Sequence, residues 1–241
     1  MYQLLGVNTD AKTTKGTNLG YLTGILYLAP GDISGHEVCA WRNAGCTAAC
    51  LYTAGRGKFS NVKQSRIRKT RWFFSDREAF YVALRSDIEQ LIKDAEKMGL
   101  IPCVRLNGTS DIVWEYGKSS IIRAFPNEQF YDYTKSVHRA VQSLTSELWP
   151  SNYHLTFSYS GTNFADCIKV LRLGGNVSVV FDGVKPKAWG GAPVIDGDLH
   201  DLRFTDPSGT VVGLKAKGEA KKDTSGFVVR QEMEMEQLIA A

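Results

Sequence analysis

The chain has 241 residues, 29 Lys and Arg against 25 Asp and Glu, a formal net charge of +4, and 43% hydrophobic residues. That composition suits one sizeable core, and no apolar run approaches the ~18–20 residues of a membrane span, so a soluble protein is expected. Five cysteines, an odd number, with no basic and apolar leader at Met1–Gly6 exclude a disulfide framework and predict a reducing, cytoplasmic setting.

Residues 1–20 show little periodicity and are expected to form a loosely structured lead-in to one domain over 21–218, with a charged tail over 219–241. Tyr21–Leu28 is a short β-compatible run that Pro30-Gly31 ends, which places the next stretch in the loop after a strand. From Asp76 to Met98, Phe80, Leu84, Ile88, Leu91, Ile92 and Ala95 recur at three- and four-residue spacing. A helix is predicted there, with Ser75 or Asp76 as N-cap and Gly99 closing it. Leu100–Leu106 reads as a buried strand, Phe130–Tyr133 as a brief one and Lys135–Leu148 as a helix. His154–Tyr159 reads as a strand, Asn163–Leu173 as a helix and Val177–Phe181 as a strand. Strands alternating with helices define an α/β class with a mostly parallel sheet. Beyond Pro186 the chain is turn-rich, with β segments expected at Leu202–Phe204 and Val211–Lys215 and no helix.

Three cysteines stand close together in Cys39-Ala-Trp-Arg-Asn-Ala-Gly-Cys46-Thr-Ala-Ala-Cys50, a C-x6-C-x3-C pattern with small residues between the thiols. Thiolates bind soft or borderline metals, and three on one loop suit a four-iron cluster with one iron left for another ligand. Zinc and a metal-free role as small buried groups remain the alternatives. Cys103 and Cys167 read as core cysteines, and His36 as a solvated residue or a fourth zinc ligand. Polar residues also gather past the other strands: Asn107 and Asp111, then Lys135, Ser158 and Asp182. These are candidate cofactor-binding residues, because parallel α/β sheets place their sites at the carboxyl ends of the strands. No phosphate loop, dinucleotide fingerprint, H-E-x-x-H or G-x-S-x-G motif is present.

The cysteine loop, Arg105-Leu106-Asn107-Gly108-Thr109-Ser110-Asp111-Ile112, Tyr131–Lys135 and Asp196–Phe204 resemble the phage proteins grouped as the gene-product-eighty-eight family, a resemblance spanning Tyr21 to Gly218. More distantly the arrangement is similar to radical S-adenosylmethionine enzymes. That similarity implies a partial (β/α) barrel with a short β-rich C-terminal part, and a 4Fe-4S cluster on Cys39, Cys46 and Cys50. It also implies S-adenosylmethionine as a further cofactor. The usual radical-enzyme spacing is C-x3-C-x2-C, and no Gly-Gly-Glu-type segment follows the second strand. The expected function is therefore a phage iron-sulfur protein of redox or radical type, with an unidentified redox partner.

Two other classes compete. Arg56, Lys58, Lys63, Arg66, Arg68, Lys69 and Arg71 occur with no acidic residue between them, which suits a solvated helix face, nucleic acid or another anion. A nucleic-acid-binding protein with a structural metal would use this Arg56–Arg71 segment. A metal-dependent hydrolase would instead use Asp196, Asp198 and His200, beside Asp201.

Overall fold

The computed structural model describes residues 2–8, 11–50, 52, 54–117 and 120–230. Its sheet begins earlier than expected. β1 (Leu5–Val7) pairs antiparallel with β2 (Tyr21–Leu26), and α1 (Ala11–Thr17) lies between them. Within the segment read as a loose lead-in, Gln3–Leu5 is fastened by a buried carboxylate: Asp87 accepts the N–H groups of Gln3 (3.1 Å), Leu4 (2.7 Å) and Leu5 (2.9 Å). Leu4 and Leu5 are buried in the core, and a few apolar residues too short for periodicity to detect do this work.

After β2 the chain forms two short helices, α2 (Gly31–Ser34) and α3 (Ala44–Ala48), then the long pair α4 (Ser60–Ser75) and α5 (Arg77–Met98). α5 has the caps its sequence predicts: Asp76 accepts from the Ala79 N–H (3.0 Å), and Gly99 takes the left-handed conformation at φ 66°. β3 (Ile101–Arg105), α6 (Ile121–Ala124), β4 (Gln129–Thr134), α7 (Val137–Thr145), β5 (Tyr153–Ser158), α8 (Phe164–Arg172) and β6 (Val177–Phe181) follow. The last strands are β7 (Ala188–Trp189), β8 (Ala192–Asp196), β9 (Val211–Lys215) and β10 (Val228–Val229).

The ten strands make one open, mostly parallel sheet in the order β1-β2-β3-β4-β5-β6-β9-β8-β7, with β10 parallel beside the end of β6. From β2 to β6 each strand lies next to its predecessor in the chain. Right-handed crossovers between such neighbours advance in one direction and leave their helices on one face. Packing agrees with this. Phe80, Leu84, Ile88, Leu91 and Ala95 of α5 join Leu22, Leu26, Val104, Phe130 and Leu155 in one core. Ala140, Cys167 and Val170 of α7 and α8 join Phe157, Val177, Val179 and Phe181 in a second.

The opposite face is polar and aromatic. Thr23 Oγ1 lies 3.2 Å from Cys103 Sγ, Arg105 stacks over Tyr133 at 4.7 Å, and Arg105 pairs with Asp201 at 2.9 Å. Tyr131 Oη also donates to Asp201 (3.4 Å). The strand expected at Leu202–Phe204 is instead a 3-10 turn, Arg203–Thr205, because the buried Arg203 must turn inward to meet Asp206 at 3.1 Å. The turn-rich reading of 189–198 missed β7 and β8, an edge hairpin in which Pro193 is tolerated beside Ala188. Of the expected tail, residues 219–230 include a turn at Gly218–Lys222 and β10, whose valines are buried. Residues 231–241 lie outside the described residues. No helix among the described residues is long and apolar enough to cross a membrane.

Candidate functional site

The cysteine loop leaves the carboxyl end of β2 and is tied to its neighbours on both sides. The Asp111 N–H donates to Val38 O (2.7 Å), and Cys39 Sγ donates to Thr109 O (3.8 Å), so the loop lies against the segment after β3. Asn43 caps α3 by accepting from the Cys46 N–H (2.8 Å), and its Nδ2 donates to Ser160 O (2.7 Å) after β5. Glu37 holds the bend by accepting from the Cys39 N–H (2.7 Å) and from Arg42 Nε (3.0 Å). Gly45 is required for close approach, since a Cβ there would sit 2.2 Å from Ser225 Oγ.

The three thiols are half-buried and lie in one another's electrostatic field. Lys135, just past β4, lies in the electrostatic field of Cys46, Asp111 and Cys39. Burial opposes charge on Lys135, yet Cys46 and Asp111 hold its ammonium above the ordinary lysine range. Burial, then the Asp111 carboxylate, pushes the Cys39 thiol up to about 12, and burial raises Cys50 as well. No group of three or more His, Cys, Asp or Glu side chains among the described residues is drawn together tightly enough to hold a single metal ion.

Of the other residues singled out by the sequence, Asp111 and Lys135 reach this cluster. Asp111 accepts from the Lys135 N–H (2.8 Å) and Thr134 Oγ1 (3.1 Å), and pairs with Arg139. Asn107 is spent inside its own loop. Its Oδ1 accepts from Ser110 Oγ (2.8 Å), the Ile112 N–H (2.9 Å) and Trp114 Nε1 (3.1 Å), while Nδ2 donates to Ile112 O (2.9 Å). Ser158 Oγ pairs with Ser178 Oγ (3.0 Å) within the sheet. Asp182 lies 3.8 Å from Arg230, and its N–H donates to Val229 O (3.1 Å), so it secures β10. Cys103 and Cys167 are fully buried in the core, and His36 stacks on Phe74 with ring centroids 4.4 Å apart.

The acidic group near residue 200 is divided between cations. Lys185 bonds both Asp196 and Asp198, Lys217 bonds Asp198 (2.9 Å), and Asp201 faces Arg105 across the sheet. The basic run is divided as well. Lys69 donates to Leu4 O (2.6 Å) and Arg66 is buried, while Arg56, Lys58, Arg68 and Arg71 remain exposed.

The sequence reading missed Arg139 and Glu115. Arg139 Nε and Nη2 donate to the two oxygens of Glu115 (2.7 and 3.0 Å), Nη1 reaches Asp111, and its guanidinium lies 5.7 Å from the Trp41 ring in the cysteine loop. Asp132, fully buried beside them, accepts from the Asn107 N–H (2.7 Å) and Tyr153 Oη (3.1 Å). Arg139 was hidden because a cation in a helix's first turn has no sequence mark separating it from a solvated one.

No curated protein and no solved structure matches this chain. A family model described as Gene product 88 matches residues 3–231.

Proposed function

This chain belongs to the phage family Gene product 88, and from that premise we propose that it is an iron-sulfur protein holding one four-iron cluster through Cys39, Cys46 and Cys50. The observation that carries the reading is that these three thiols share one loop past the carboxyl end of β2, half-buried and within the electrostatic reach of Lys135, while the other two cysteines are core residues. The donor set fits the group. Three thiols, with no fourth ligand among the described residues, match a cluster having one open iron. Among the described residues no group of three or more His, Cys, Asp or Glu side chains is placed to hold a metal ion, so binding a cluster would require the three thiols to draw together around it.

A bound cluster would supply one-electron chemistry. The chain's own residues would position it and exclude water: Asn43 and Glu37 hold the loop, and the Lys135 ammonium would offset thiolate charge. The chain-ordered run of strands from β2 to β6 supports a partial (β/α) barrel. On such a barrel the strand ends beside the cysteine loop would form the co-substrate site, and S-adenosylmethionine is the co-substrate to test there.

Anaerobically reconstituted protein is expected to be brown with about four irons per chain, and Cys46→Ala to lose the colour while Cys167→Ala keeps it. A colourless wild type after reconstitution defeats the proposal. Electron paramagnetic resonance with and without S-adenosylmethionine then reads whether the open iron accepts it.

A further inference from the structure

Four arginines are buried among the described residues, and three of them face a carboxylate: Arg105 meets Asp201, Arg139 meets Glu115 and Asp111, and Arg203 meets Asp206. Arg66 of α4 does not. Only 9% exposed, its guanidinium lies over two tyrosine rings, Tyr27 at 4.6 Å and Tyr52 at 5.8 Å, and its Nε and Nη1 have no hydrogen-bond partner. The Tyr52 hydroxyl, buried in the same place, is also unpartnered. Buried donors without acceptors are costly, and three of them on two neighbouring side chains point to a missing acceptor between them. Gly57 lines the site, with the position of a Cβ 3.3 Å from Arg66 Nη1 and 2.6 Å from Tyr52 O, so a side chain there would press on both residues.

We infer that Arg66 and Tyr52 form an oxyanion site beside the cysteine loop that takes the phosphate group of a small molecule. A guanidinium binds two oxygens of one group through a planar fork, and a phenol adds a third donor. Charge favours phosphate over carboxylate. Lys63 lies 5.6 Å from the same Tyr52 ring with no ion pair among the described residues, so two cations share the site, and a dianion balances both. No Asp or Glu occurs from residue 56 to 71. The carboxylate that Tyr52 does feel, Asp32, lies 3.4 Å from Arg42. Arg66 and Cys50 also lie in each other's field, which sets the phosphate at the edge of the thiol cluster.

The site contains no thiol, so its test is separate from that of the cluster. Thermal unfolding of the full chain is followed while inorganic phosphate, acetate or chloride is added at constant ionic strength. Phosphate is expected to raise the midpoint saturably, and acetate and chloride are not. Arg66→Met should weaken the phosphate response at least about tenfold, and Arg66→Lys, which keeps the charge without the fork, also substantially. Tyr52→Phe should weaken it about threefold, the loss of one hydrogen bond. Far-UV circular dichroism establishes that each variant is folded. A wild type without a saturable phosphate response overturns the inference, as does a folded Arg66→Met that responds with unchanged affinity. Acetate acting as strongly as phosphate would overturn the assignment to phosphate.

Discussion

Two buried arginines flank the cysteine loop and differ in what surrounds them. Arg139 is saturated, with Glu115, Asp111, Thr134 and Tyr153 all within hydrogen-bond reach. Arg66 has aromatic rings where Arg139 has carboxylates. The same side chain thus serves two ends. A guanidinium whose donors are filled from within the chain fixes the loops after β3 and β4, and one whose donors are empty is available to a ligand.

Breaking the saturated side should cost most. Arg139→Met leaves Glu115, 0% exposed, without its cation, and a loss of about 3–5 kcal/mol is expected. Chemical denaturation would register this; a loss below about 1 kcal/mol would mean that the Arg139–Glu115 pair contributes little to the fold. Asp87→Ala should follow at about 2–3 kcal/mol, since it strands three backbone N–H groups at the N-terminal strand. Faster hydrogen exchange at Leu4 and Leu5 would localise the effect.

Asp132 gives a pH signature to the saturated network. Burial pushes its carboxyl up to about 7, so the folded chain keeps a proton that the unfolded chain releases near its ordinary value of about 3.9. Folding takes up that proton between the two values, and stability from this group therefore falls as pH rises across that window. The unfolding midpoint of the wild type relative to Asp132→Asn should drop between about pH 4 and pH 7. Parallel pH profiles for the two proteins would show that Asp132 does not titrate there. The smallest effect is expected away from both arginines: Asp196→Asn, at a half-exposed carboxylate held by Lys185, should change stability by less than about 1 kcal/mol.

The elements that were legible in sequence are those whose pattern and environment agree. α5 shows an unbroken apolar stripe because it lies across β2 and β3, and its caps are local chemistry that needs no partner. α4 was not recognisable as a core helix, since the positions it turns inward include Arg66 and Thr70 as well as Phe73. Thr70 is used there to donate to Arg66 O (2.9 Å) and to accept the Ala29 N–H (2.8 Å). β8 hid behind Pro193 and flanking glycines; it lies between β9 and β7, and Pro193 is accommodated near its start, one residue before the pairing with β9 begins at Val194.

Local order along the chain was enough to determine the α/β class, the long helix, most central strands, and the position of Cys39, Cys46 and Cys50 just past a strand end. Strand-end position also picked out Asp111 and Lys135 as neighbours of that loop. Only the tertiary structure decided which charges are spent and which are not. It sent Asn107, Ser158 and Asp182 into internal bonds, tied Asp196 and Asp198 to Lys185, and set Asp201 apart against Arg105. It also turned Arg66 inward without a carboxylate. The physical reason is that a polar side chain's role depends on the partners brought to it from distant parts of the chain. Periodicity and capping depend on residues a few positions away, whereas the partner of Arg139 at Glu115, 24 residues distant, exists only once β4 and α7 have packed.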